Sequence, residues 1–252
     1  MQVERMFYES DLEQLLVDII SKNGWEYISA DKLRRSHADV LVESMVRDAL
    51  IRLNPEIATK PEYADDVIYK LIAVIRSVQP HNLVTQNEQF KKLVFEENSY
   101  PFGEDGRMIP IRFFGTGVDL KLNKYVVTNQ WVFPKDVGGK RLDIVLLING
   151  FPVAVGELKT PTRNAVTWLD GAGDILAYEK SIPQMFVPNV FNFASEGKCF
   201  RFGAVNMPLH LWGPWHTLDK TEGTLADVNR SVAAMFKPEI IMDIFQFFTV
   251  LL

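Results

Sequence analysis

The sequence predicts an α/β fold: a mixed sheet of about five strands with helices on both faces, preceded by a helical N-terminal part. Three observations predict it. Through the first hundred residues apolar side chains recur every three or four positions, the helical period. From about Pro110 that period gives way to β-branched and aromatic runs broken by Gly, Pro and Asn. Two adjacent runs, 141–148 and 151–158, are apolar on both faces, as strands covered from two sides must be.

Taken in order, Ser10 with Glu13 three residues on reads as a capping box opening a helix through Leu12, Leu15, Leu16, Ile19 and Ile20, closed by Asn23-Gly24. Trp25 to Ile28 reads as a short strand. A second helix is predicted from Ala38 to Leu53, ended by Asn54-Pro55. A third spans Ala64 to Val78, stopped by Gln79-Pro80, and a fourth spans Thr85 to Phe95. Strands follow at Tyr125–Phe133, Arg141–Ile148 and Phe151–Leu158, the last two joined by Asn149-Gly150. A helix is predicted from Thr167 to Lys180, weakened by Gly171 and Gly173. Pro183–Ala194 and Lys198–Val205 read as two more strands.

Composition sets outer bounds. The chain has 252 residues, 47% hydrophobic and 23% charged, and its 17 Phe and 5 Trp supply a core large enough to exclude disorder as the overall state. The single cysteine, Cys199, excludes a disulfide framework and a cysteine-based zinc site, and fits a reducing, cytoplasmic setting. The start, MQVERMFYES, lacks the apolar stretch of a secretory signal. No apolar run reaches the roughly 20 residues that cross a bilayer, so no membrane is expected among the partners. A net charge of −5 argues against a uniformly basic nucleic-acid coat but leaves room for a local basic groove. The apolar end, Ile240 to Leu252, would expose a greasy patch if unpartnered. The division predicted is therefore 1–215 as one unit (1–100 mainly helical, 101–215 carrying the sheet), with 216–252 as a linker and the start of a further domain. A C-terminal helix docked on its own core is the alternative.

The chemistry concentrates between Arg141 and Lys159. Asp143 lies among apolar strand residues, where an ionised carboxylate is costly unless paired or metal-bound. Glu157 and Lys159, two apart on the next strand, leave the same face. Two carboxylates beside an ammonium can hold a hard divalent cation such as Mg²⁺ and still offer a charge-stabilising group, which is equipment for metal-assisted hydrolysis of a phosphodiester. A structural ion pair of Lys159 with either acid is the plain alternative. Geometry decides between them. A plain two-residue turn at Asn149-Gly150 puts Asp143 opposite Gly156 and on the wrong face. A three-residue connection, placing Asp143 opposite Val155, or a β-bulge returns it to the face of Glu157 and Lys159. The hairpin is therefore predicted not to be a plain two-residue one along its whole length.

The order Asn129-Gln130-Trp131, Arg141-Leu142-Asp143-Ile144, Asn149-Gly150-x-Pro152 and Glu157-Leu158-Lys159-x-Pro161 resembles the N-terminal nuclease domain of the restriction (R) subunit of type I restriction enzymes. Gly24-Trp25-Glu26-Tyr27, Leu53-Asn54-Pro55 and Ile182-Pro183-Gln184-Met185-Phe186 fit the same pattern, so the resemblance covers about residues 5 to 215. It implies a PD-(D/E)xK, restriction-endonuclease-like fold that cleaves double-stranded DNA with Mg²⁺. It further implies Asp143 and Glu157 as metal ligands, Lys159 as the group that orients the attacking water, and modification and specificity subunits as partners. The family couples its nuclease to an ATP-driven motor later in the polypeptide. This sequence has no G-x-x-x-x-G-K-[ST], so ATP is not expected to bind here.

One departure stands out. Where the family commonly has Gln-x-x-x-Tyr, this chain has Asp174-Ile175-Leu176-Ala177-Tyr178. Tyr178 is expected near the site; Asp174 is either a further acidic contact there or a solvated or N-capping residue. Lys135, Lys140, Arg141 and Arg163 are candidates for phosphate contacts, against the alternative of ordinary surface charge. Glu9 or Glu13 could add a carboxylate. The histidines show no ligand spacing, and Trp212 and Trp215 suit packing better than base stacking. Two rival readings remain in view: a silent assembly module, which would need a damaged Asp-Glu-Lys set, and a repair or junction-resolving nuclease, which would have to grip DNA alone despite the net negative charge. The isolated chain is expected to bind DNA weakly and cut it poorly.

Overall fold

The computed structural model describes residues 8–160, 165–215 and 223–247. A six-stranded mixed sheet organises them, with helices on both faces and a mainly helical N-terminal part. The helices are α1 (Glu9–Lys22), α2 (Glu43–Leu53), α3 (Pro55–Thr59), α4 (Tyr63–Arg76), α5 (Leu83–Phe95), α6 (Trp168–Ser181), α7 (Leu225–Met235) and α8 (Pro238–Phe247). The strands are β1 (Glu26–Tyr27), β2 (Ser99–Tyr100), β3 (Ile109–Pro110), β4 (Tyr125–Val132), β5 (Arg141–Ile148), β6 (Phe151–Leu158), β7 (Phe191–Ser195) and β8 (Phe200–Gly203). The main sheet runs β1-β4-β5-β6-β7-β8. The β1/β4 and β6/β7 pairs are parallel and the others antiparallel; β2 and β3 form a separate pair too short to be legible in the sequence.

The β6–α6–β7 crossover makes the parallel pair inside the sheet. Alternation along β7 sends Ala194 towards α6 and Phe193 to the opposite face. There Phe193 packs on Phe200 and on Phe236, which follows α7. Trp25 donates its indole N–H to the carbonyl of Phe236, and Phe245 of α8 packs on Phe95 and Phe114. Residues 225–247 thus pack on the same core as the sheet. Among the described residues no helix is long and apolar enough to cross a membrane.

Several local expectations are corrected. Helix α1 begins at Glu9, not after Ser10, because Asp11 accepts the Tyr8 amide at 2.8 Å. Helix α2 begins at Glu43 rather than Ala38. The residues before it form a turn in which Arg35, lying 3.6 Å over the Trp131 ring, donates to the carbonyls of Ser36, His37 and Asp39. Pro183–Phe186 is a single 3-10 turn, since a proline removes the N–H a strand there would need, and the strand is confined to Phe191–Ser195. Trp212 is buried against Gly203 and donates to the Met207 carbonyl, while Trp215 packs on Phe202. Both tryptophans are packing residues.

Candidate active site

The β5–β6 hairpin sets the site. Asn149 and Gly150 both have positive φ (52° and 87°), which is the two-residue turn that Asn-Gly favours, and Ile148 pairs with Phe151. The three-residue connection does not occur. The register shifts one step later: Leu147 pairs with Pro152 but Leu146 with Ala154, leaving Val153 as the extra residue of a bulge. Pro152 supplies the physical reason, since it has no N–H with which to continue the ladder. Beyond the bulge Ile144 pairs with Gly156, so the same register continued sets Asp143 across from Glu157, not Val155. The two carboxylates therefore leave the same face of the sheet.

Both are buried, Asp143 to 4% exposure and Glu157 to 5%. Asp143 accepts the backbone N–H of Leu158 through Oδ2 at 2.8 Å. Burial nevertheless raises its carboxyl to about 6, assisted by the charges of Glu9 and Glu13. Glu157 is pushed up to about 8, first by burial and then by the charge of Asp143. Glu157 Oε1 accepts from Lys159 Nζ at 3.1 Å and from the Tyr178 hydroxyl at 3.2 Å, whereas Oε2 has no hydrogen-bond partner. Lys159 also meets Asp174 Oδ2 at 2.5 Å. Burial opposes its charge, but the hydrogen bonds and charges of Asp174 and Glu157 outweigh that and hold the ammonium above the usual lysine range. Burial and the same two carboxylates raise Tyr178 as well, keeping its phenol protonated.

Helix α6 delivers Tyr178 and Asp174. Thr167 caps it, accepting the Leu169 amide, and Asp170 accepts the Thr167 amide in return. Asp174 is thus a helix-interior residue in contact with Lys159, not an N-cap. Gly171 lets the helix approach: a Cβ there would sit 3.0 Å from the Glu157 carbonyl and 3.3 Å from Ala194 Cβ. Lys140 lies 5.4 Å from the centre of the Tyr178 ring, which brings it to the rim of the site. Arg141 is exposed and shares the face of Asp143 two residues on. Arg163 lies outside the described residues.

Glu13 is the residue whose capping role sequence reasoning misassigned. It is no capping partner; its carboxylate accepts Asn129 Nδ2 and Gln130 Nε2, both at 2.6 Å. Gln130 adopts φ 54° and drops out of the β4–β5 ladder at the step facing Asp143. The available signal was an Asn-Gln pair inside an otherwise apolar strand. Among the described residues no three His, Cys, Asp or Glu side chains are grouped as a metal cage.

The chain is 26% identical, over 96% of its length, to the type I restriction enzyme HindI endonuclease subunit of Haemophilus influenzae, covering 24% of that protein. It is 22% identical, over 73% of its length, to a provisionally named type I restriction enzyme MjaIXP endonuclease subunit of Methanocaldococcus jannaschii, covering 17% of it. The chain thus spans about a quarter or less of the length of these relatives. The family model for the type I restriction enzyme R protein N terminus matches residues 6–210, which include β5, β6 and α6 whole, and the chain belongs to that family.

Proposed function

We propose that this chain is the Mg²⁺-dependent endonuclease domain of a type I restriction enzyme, hydrolysing phosphodiesters of double-stranded DNA within a complex that also holds modification and specificity subunits. One observation carries the reading: two buried carboxylates face each other on one side of the sheet, one oxygen of Glu157 lacks a partner, and an ammonium stands beside them. The donor set fits a divalent cation. Its two carboxylates offer oxygen ligands, the buried Oε2 of Glu157 lacks a partner, and two carboxylates are what Mg²⁺ takes alongside waters and phosphate oxygens. Asp143 and Glu157 would hold that ion, which when bound lowers the pKa of water and offsets charge on phosphate oxygens.

The chain's own groups do the rest. Lys159, held between Glu157 and Asp174, would orient the attacking water and stabilise charge that develops on the phosphoryl oxygens. Tyr178 fixes the Glu157 carboxylate through its hydroxyl. Lys140 and Arg141 at the rim, and Arg163, would meet DNA phosphates, giving grip without reading sequence. No base-reading module is recognisable in the sequence, so on this reading site choice and ATP use belong to other parts of the complex.

The test uses the complete enzyme. Asp143→Ala, Glu157→Ala and Lys159→Ala should each reduce DNA cutting by at least about a hundredfold, leaving ATP hydrolysis unchanged. Loss of ATPase together with cutting in all three variants would show the three residues to be structural and end this reading.

A further inference from the structure

The α6 face towards β6 carries Gly171, Asp174 and Tyr178 at successive turns. Gly171 allows the close approach, Tyr178 binds Glu157, and Asp174 binds Lys159. The lysine therefore stands between two carboxylates, nearer Asp174 at 2.5 Å than Glu157 at 3.1 Å. Its side chain is 19% exposed and that of Asp174 is 46% exposed, so the second anion reaches the ammonium from the solvent side while Glu157, 6% exposed, holds it from within.

An ammonium bound to Glu157 alone would neutralise the carboxylate that the proposed cation needs. A second anion opposite draws the charge off and fixes its position. We propose that Asp174 is a positioning residue that shares the Lys159 ammonium with Glu157 and confines it to Oε1, leaving Oε2 and the Asp143 carboxylate open to a divalent cation. This rests on the nuclease reading above. It gives the acidic residue at this position a task that acts through Lys159 rather than through direct ligation.

The experiment measures Mn²⁺ binding to the chain itself, by the electron paramagnetic resonance signal of the free ion, in a double-mutant cycle. Asp174→Ala should weaken Mn²⁺ about fivefold when Lys159 is present and less than about twofold when Lys159 is already Met, because residues in one ion-pair network are coupled. Asp174→Gln, which keeps an acceptor for the ammonium, should recover most of the lost affinity. An equal loss in both backgrounds, with Gln no better than Ala, would mean that Asp174 acts on the cation directly by its charge, and the proposal would fall while the nuclease reading stood. Glu157→Gln separates the two: it should weaken Mn²⁺ at least tenfold, the scale of one removed charged ligand, and unchanged binding would bring down the nuclease reading and this proposal with it.

Discussion

The two ends of the β5–β6 hairpin are equally buried and are built on opposite principles. At the turn, Asn149 is fully enclosed and uses its whole amide: Oδ1 accepts from Lys124 N and Arg52 Nη2, and Nδ2 donates to the Phe113 carbonyl and Asn123 Oδ1. Gly150 beside it receives the Val42 amide on its carbonyl and has no room for a Cβ, which would lie 2.7 Å from the Val42 oxygen. At the open end, Glu157 has an oxygen with no partner, and both carboxyls sit well above their ordinary range. The turn end leaves no polar atom of the Asn149 amide unpaired, whereas the unpaired Glu157 oxygen carries a free-energy cost that a ligand, a water or a proton removes.

Variants at the two ends should move stability in opposite directions. The largest effect belongs to Asn149→Ala, which strands four partners, two of them on the buried residues Phe113 and Asn123, and should cost about 3 kcal/mol by equilibrium denaturation; a loss below about 1 kcal/mol would break the contrast. Glu179 sharpens it, because it is a buried carboxylate away from the hairpin, with Oε1 accepting from Asn206 N and Asn192 Nδ2. Burial raises it to about 7 from an ordinary 4.5, so the folded state binds its proton more tightly than the unfolded. That stability is fully present below pH 4.5 and is lost as pH rises through about 7. That contribution should drop by roughly 2 kcal/mol between pH 5 and pH 8, on top of the losses at Asp143 and Glu157, whose carboxyls are raised in the same way, and Glu179→Gln should remove its own share of the slope. An unchanged slope would show that its hydrogen bonds already offset burial. The smallest effect is a gain: Glu157→Gln, assayed without divalent cations at pH 7.5, should stabilise the chain by about 1 kcal/mol while removing function. Destabilisation instead would place Glu157 with Asn149 as a structural residue.

What the sequence disclosed and what it hid divide along a physical line. The central strands were readable because β-branched and aromatic runs carry their own signal, and Asp143 stood out because a charge in such a run needs an explanation. The turn type at Asn149-Gly150 was readable, since positive φ at two successive positions is a local demand. Its burial under α2 was not, because nothing in a dipeptide says what will pack on it. Glu13 was misread for the same reason. A capping pattern is visible within four residues, whereas its partners, Asn129 and Gln130, lie 116 and 117 residues away. Parity predicted that the hairpin must depart from regularity, and Pro152 then decided where. The contact of Asp174 with Lys159 depends on how closely α6 approaches β6, which Gly171 permits but does not announce.

The extra residue Val153 has a consequence for how such a domain can diverge. Side chains alternate along a strand, so whether Asp143 and Glu157 meet depends on the count between them being odd or even. Losing one residue from that stretch, or gaining one, would turn a carboxylate into the opposite layer and would also displace Gly156, where a Cβ would lie 2.1 Å from the Phe193 ring. Losing two would restore the meeting. Length change in this hairpin therefore acts on the carboxylate pair by parity: one step separates the two acids, and a second of the same kind reunites them.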